Sequence, residues 1–72
     1  MSGSIYRVIE LIGSSPESWE QATANAVDEA HRQLGTDLRV AEVVEMDVLI
    51  EEGKVRAYRA KVRLSYKTGP GL

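Results

Sequence analysis

The sequence predicts an α+β subunit of order β-α-β-β, three strands and one helix. Three observations carry that expectation: an early β-branched run, a single apolar stripe at helical spacing, and a hydrophobic period of two from Leu38 to Tyr66. Ile5-Tyr6-Arg7-Val8-Ile9-Glu10-Leu11-Ile12 is dense in residues that suit a pleated surface, and Gly13 is expected to end that strand. Ser14-Ser15-Pro16-Glu17 then has the composition of a helix start. Ser15 would cap, Pro16 would take the first helical position where a missing N–H costs nothing, and Glu17 would face the positive end of the dipole. Trp19, Ala22, Ala26, Ala30 and Leu34 recur at spacings of three and four, one stripe whose small alanines let a helix lie close on a sheet. Gly35 is the expected stop.

The second half alternates. Leu38, Val40, Val44, Met46, Val48 and Ile50 are expected on one face, interrupted by Glu42, with Arg39, Ala41, Val43, Glu45, Asp47 and Leu49 on the other. Glu51-Glu52-Gly53-Lys54 is a turn signal, after which Tyr58, Ala60, Val62, Leu64 and Tyr66 share the apolar side of the last strand. A three-residue loop at Glu52-Gly53-Lys54 would set Met46 opposite Ala60 and Val44 opposite Val62. It would also set Asp47 opposite Arg59 and Glu45 opposite Lys61, and opposite charges across strands favour that register.

Composition narrows the function. The chain of 72 residues is read as one domain, 1–72, with flexible ends at 1–4 and 68–72. A core of this size is marginal alone, and with no cysteine there is no disulfide, iron–sulfur cluster or thiol chemistry to support it. Oligomerisation is the remaining support. The long hairpin agrees, since one helix cannot cover it, and Val43, Leu49, Ala41 and Ala57 are expected to pack on a second copy. A net charge of -2 argues against a nucleic-acid partner, and no apolar run approaches a membrane span. The expected location is cytoplasmic. No phosphate loop or nucleophile–base pair is present, and His31 lies off the apolar stripe, so no enzyme chemistry is indicated. Glu45 and Asp47 share a strand face, and oxygen donors of that kind suit calcium or magnesium. The competing reading is that they only pair with Lys61 and Arg59.

Several stretches together resemble the dodecin family: Tyr6-Arg7-Val8-Ile9-Glu10, Gly13-Ser14-Ser15-Pro16-Glu17-Ser18-Trp19, Val40-Ala41-Glu42-Val43-Val44-Glu45 and Val62-Arg63-Leu64-Ser65-Tyr66. The resemblance covers nearly the whole chain and implies a three-stranded antiparallel sheet partly wrapping the one helix, in subunits that assemble as a hollow homododecamer. It also implies a flavin (riboflavin or FMN) site at subunit interfaces, with a tryptophan stacking on the ring and a glutamine hydrogen-bonding it. Those two positions correspond here to Val40 and Arg59, so the stacking platform is replaced. The segments Ser15-Pro16-Glu17-Ser18-Trp19-Glu20-Gln21-Ala22 and Arg39-Val40-Ala41 are similar to a calcium-binding branch of the family. The resemblance assigns a divalent-ion ligand to Glu45, with Asp47 added by its shared strand face. The resulting expectation is a non-enzymatic binding or storage shell for a divalent cation. Flavin sequestration, or a purely structural assembly with an unknown ligand, are the alternatives.

Overall fold

The computed structural model describes residues 3–35 and 38–68. Its elements are β1 (Ile5–Ser15), α1 (Trp19–Leu34), β2 (Leu38–Glu51) and β3 (Lys54–Thr68). The order β-α-β-β is therefore the expected one. The sheet has the order β1-β3-β2 with antiparallel pairs, so the longest strand is central. Of the ends expected to be flexible, only 3–4 and Thr68 are described, and Thr68 closes β3 opposite Ile5.

β1 runs past Gly13 to Ser15, with Gly13 opposite Ala60 and Ser15 opposite Tyr58. Gly13 is thus a place of close approach rather than a stop. A Cβ there would collide with the main-chain carbonyl oxygen of Ala22 and lie 3.1 Å from the Ala26 Cβ. The helix cap also differs from expectation. Ser18, in extended backbone, accepts the Gln21 N–H on its Oγ at 2.9 Å. Ser15 instead lies buried and accepts the Glu17 N–H at 3.0 Å, which shapes the turn into the helix. The pattern Ser18-Trp19-Glu20-Gln21 is that of a capping box and carries the signal for the true start. Gly35 ends α1 as expected, with φ 55° and its N–H donated to the His31 carbonyl at 2.9 Å.

Ala22, Ala26 and Ala30 pack on Ala60, Val62 and Leu64, with Ile9, Leu11, Val27 and Leu38 around them. This core is small. At about 1.5 Å per residue, the 16 residues of α1 span about 24 Å of a molecule 56 Å long. The helix lies on β1 and β3 and barely reaches β2. Met46, Ile50 and Val55 consequently remain 59%, 62% and 51% exposed.

The hairpin loop has two residues, not three. Glu51 pairs with Lys54, and the intervening Glu52 and Gly53 have φ of 52° and 74°, the two positive values a type I′ turn requires. A register shift between Leu49 and Ile50 then restores the pairing that a longer loop would have produced: Met46 opposite Ala60, Asp47 opposite Arg59, Glu45 opposite Lys61. A second shift, between Val43 and Glu45, overturns another expectation. Val43 rather than Val44 lies opposite Val62. An extra residue in one strand exchanges its two faces beyond that point. Ala41 and Val43 therefore turn to the helix side, while Val40 and Glu42 join Glu45 and Asp47 on the open side.

Candidate functional site

The open face of the sheet carries a ladder of opposite charges, and each rung follows from cross-strand register. Arg59 donates from Nε and Nη2 to Asp47 Oδ1 and Oδ2 at 2.7 and 2.8 Å, a two-point fork. Lys61 Nζ stands 3.5 Å from Glu45 Oε1, a looser contact that leaves the Glu45 side chain 67% exposed. Arg63 bridges the two outer strands, with Nη2 3.2 Å from Glu10 Oε2 and Nη1 3.7 Å from Glu42 Oε1. The Arg59 guanidinium, hydrogen-bonded to the Asp47 carboxylate, holds it below the usual carboxylate range, and the same bond raises Arg59. Exposed pairs of this kind contribute little to folding stability. Their consequence is that both carboxylates already have cationic neighbours within the chain.

Asp47 is also tied through its main chain. Trp19 Nε1–H donates to the Asp47 carbonyl oxygen at 3.0 Å, and the indole meets the Tyr58 ring edge-on, 5.0 Å between centroids at 72°. The start of α1 is thereby anchored to β2 at Asp47. The sequence marked Trp19 as an apolar stripe residue and gave no sign of this bond. Glu10, Glu42 and Arg63 were likewise not singled out as a group, because the alignment of β1 on β3 is set by packing rather than by a local turn.

The two positions taken from the resemblance as a flavin site do not meet within one chain. Val40 lies opposite Ser65, six positions along β3 from Arg59. At about 3.3 Å per residue, that separation is about 20 Å. A single pocket using both would draw them from different copies. Val40 is 58% exposed and brings no ring to the open face, and Arg59 is engaged by Asp47.

Glu45 and Asp47 do share the open face, as expected. Their oxygens match the chemistry of a hard cation in kind. In number they fall short of the roughly six to eight oxygens calcium takes. Among the described residues, no three acidic or histidine side chains gather into a group able to hold a metal ion. A complete coordination sphere would need water or carboxylates from further copies. His31 lies exposed on α1, away from these residues. Among the described residues, no helix is long and apolar enough to cross a membrane.

Comparison with known proteins is consistent across sequence and structure. A family model described as Dodecin matches residues 5–68. Calcium dodecin of Mycobacterium tuberculosis is 46% identical over 67 residues, covering 93% of either chain. A crystal structure of calcium dodecin from the same organism is described as a calcium-chelating immunodominant antigen with a novel calcium-binding site. It matches with a TM-score of 0.78 at 47% identity, over 96% of this chain and 97% of that one. Dodecin from Streptomyces coelicolor matches with a TM-score of 0.86 at 34% identity, over 97% and 99% of the two chains.

Proposed function

The chain belongs to the dodecin family, and from that premise we propose that it is a non-enzymatic binding and storage protein that holds a divalent cation, calcium or magnesium, in a cytoplasmic shell of twelve identical copies. The likeness to calcium dodecin over nearly the full length of both chains is the observation that carries this reading. Glu45 is the principal ligand and Asp47 its neighbour on the same strand face. Copies arranged about a symmetry axis bring their Glu45 carboxylates together, and like charges brought close favour a bound cation. The exposed apolar residues Met46, Ile50 and Val55 support assembly, since a second copy would remove them from water. An aliphatic Val40 at the stacking position supports a cation rather than a flavin, because stacking on an aromatic platform contributes about 1–3 kcal/mol per ring.

Calorimetric titration of the assembled protein with calcium and with magnesium tests the proposal. Saturable binding is expected, weakened about tenfold or more in Glu45→Gln with the assembly mass unchanged. Unaltered calcium affinity in that variant would remove Glu45 from the site. Quenching of riboflavin or FMN fluorescence by the intact assembly would favour flavin sequestration instead. Neither response would leave a structural assembly with an unknown ligand.

A further inference from the structure

Asp47 is held at both ends. Its carboxylate oxygens accept from Arg59 Nε and Nη2 at 2.7 and 2.8 Å, and its main-chain carbonyl accepts from Trp19 Nε1 at 3.0 Å. Glu45 is held differently, by a single ammonium at 3.5 Å. A planar guanidinium that satisfies both oxygens of a carboxylate gives them up less readily than a compact, strongly hydrated ammonium at the edge of contact. The two neighbouring carboxylates thus differ in how available they are.

We infer that Arg59 is an internal competitor that occupies Asp47 and sets the affinity of the Glu45–Asp47 face for a free divalent cation. The inference rests on the proposed cation-binding function and concerns how that site is controlled. For Asp47 to turn its oxygens to an ion, both N–H···O bonds from Arg59 have to break. An ion of higher charge offsets that loss better than a monovalent one, so the fork favours divalent over monovalent cations. Release of the fork also reaches Trp19, the single tryptophan of the chain. Its indole is bonded to the Asp47 carbonyl and packs on Tyr58, the residue next to Arg59 in β3.

The test is a titration of the assembled full-length protein with calcium chloride by calorimetry, with Trp19 emission followed in parallel. The variants are Arg59→Lys, Arg59→Gln, Arg63→Gln and Glu45→Gln, each checked for unchanged assembly mass and circular dichroism. Arg59→Lys keeps the charge and loses the fork, and about threefold tighter binding is expected. Arg59→Gln should bind about three- to tenfold tighter than wild type, since the fork and its charge are gone and the weaker charge of Lys61 still acts on Asp47. Arg63→Gln removes the same charge from the same face, but its partners are Glu10 and Glu42. Its affinity should stay within about twofold, because Arg63 stands four positions along β3 from the Asp47–Arg59 rung, about 13 Å at about 3.3 Å per residue and beyond the screening length of about 8 Å. Calcium should shift Trp19 emission in wild type and less in Arg59→Gln, where the fork is already open. Equal gains in Arg59→Gln and Arg63→Gln, or no gain in Arg59→Lys, would overturn the competitor role. Binding that depends on Glu45 but is indifferent to residue 59 would overturn it and leave the cation function standing. Absence of calcium binding in wild type and every variant would remove both.

Discussion

Replacing Gly13 by alanine tests a close helix–sheet approach in the subunit. Two effects oppose each other. Alanine restricts the unfolded chain more than glycine, which on its own stabilises by about 0.4–1 kcal/mol. Against it, the added Cβ collides with the carbonyl oxygen of Ala22 and lies 3.1 Å from the Ala26 Cβ. The obstructing oxygen is helix main chain, so no rotamer change relieves it and α1 has to lift from β1 by about 1 Å or more. A radial gap of about 0.5–1 Å already forfeits a quarter to a half of each dispersion contact. The contacts at stake are those of Ala22, Ala26 and Ala30 on Ala60, Val62 and Leu64. Overpacking of this sort costs about 1–3 kcal/mol, and a main-chain obstacle puts the expected net loss at about 2 kcal/mol. With a urea slope of about 1 kcal/mol per molar for so small a chain, the midpoint should fall by about 2 M. Urea unfolding followed by Trp19 fluorescence measures it, with wild type and variant at one protomer concentration because assembly adds to apparent stability. Ser14→Ala, one residue along on the exposed face, is the control. A Gly13→Ala midpoint at or above wild type would refute the claimed approach of helix and strand.

Two smaller perturbations follow from local geometry. Glu52 occupies the left-handed region at φ 52°, where asparagine is far better accommodated than a glutamate; Glu52→Asn should raise stability by about 0.5–1 kcal/mol, and a lowered urea midpoint would show that the turn carries no such strain. Glu29 is held below its ordinary range by hydrogen bonds from Arg32 and Gln33 and by the Arg32 charge. Its stabilising contribution is therefore complete above the unfolded value of about 4.3 and is lost as pH falls through the lower folded one. In an NMR carboxyl titration, Arg32→Gln should move the Glu29 midpoint upward, and an unmoved midpoint would exclude Arg32 as the cause.

Much of the subunit was legible in the sequence. The alanine stripe, Gly35 and the period-two run from Leu38 foretell one helix and a long hairpin, and the pairing of Asp47 with Arg59 and Glu45 with Lys61 was readable from charge. Three features take a different form in the fold. Glycine's permissiveness makes Gly13 read as a breaker, whereas the fold uses its missing Cβ to admit the Ala22 carbonyl. Ser15-Pro16 imitated a cap, and the true one at Ser18 could have been found from Gln21 three residues on. Glu42 looked like a fault in an apolar face because the shift between Val43 and Glu45 that moves it to the open side has no local signature.

The sequence by itself determined the elements, their order and the identity of the charged rungs, because helical and strand periods and turn chemistry are properties of neighbouring residues. Tertiary structure alone decided which face Val40 and Glu42 occupy, how near α1 comes to β1, and that Trp19 and Arg59 both close on Asp47. Those outcomes depend on where two strands slip by one residue and on how a helix settles over them. Both are set by packing between segments far apart in the chain.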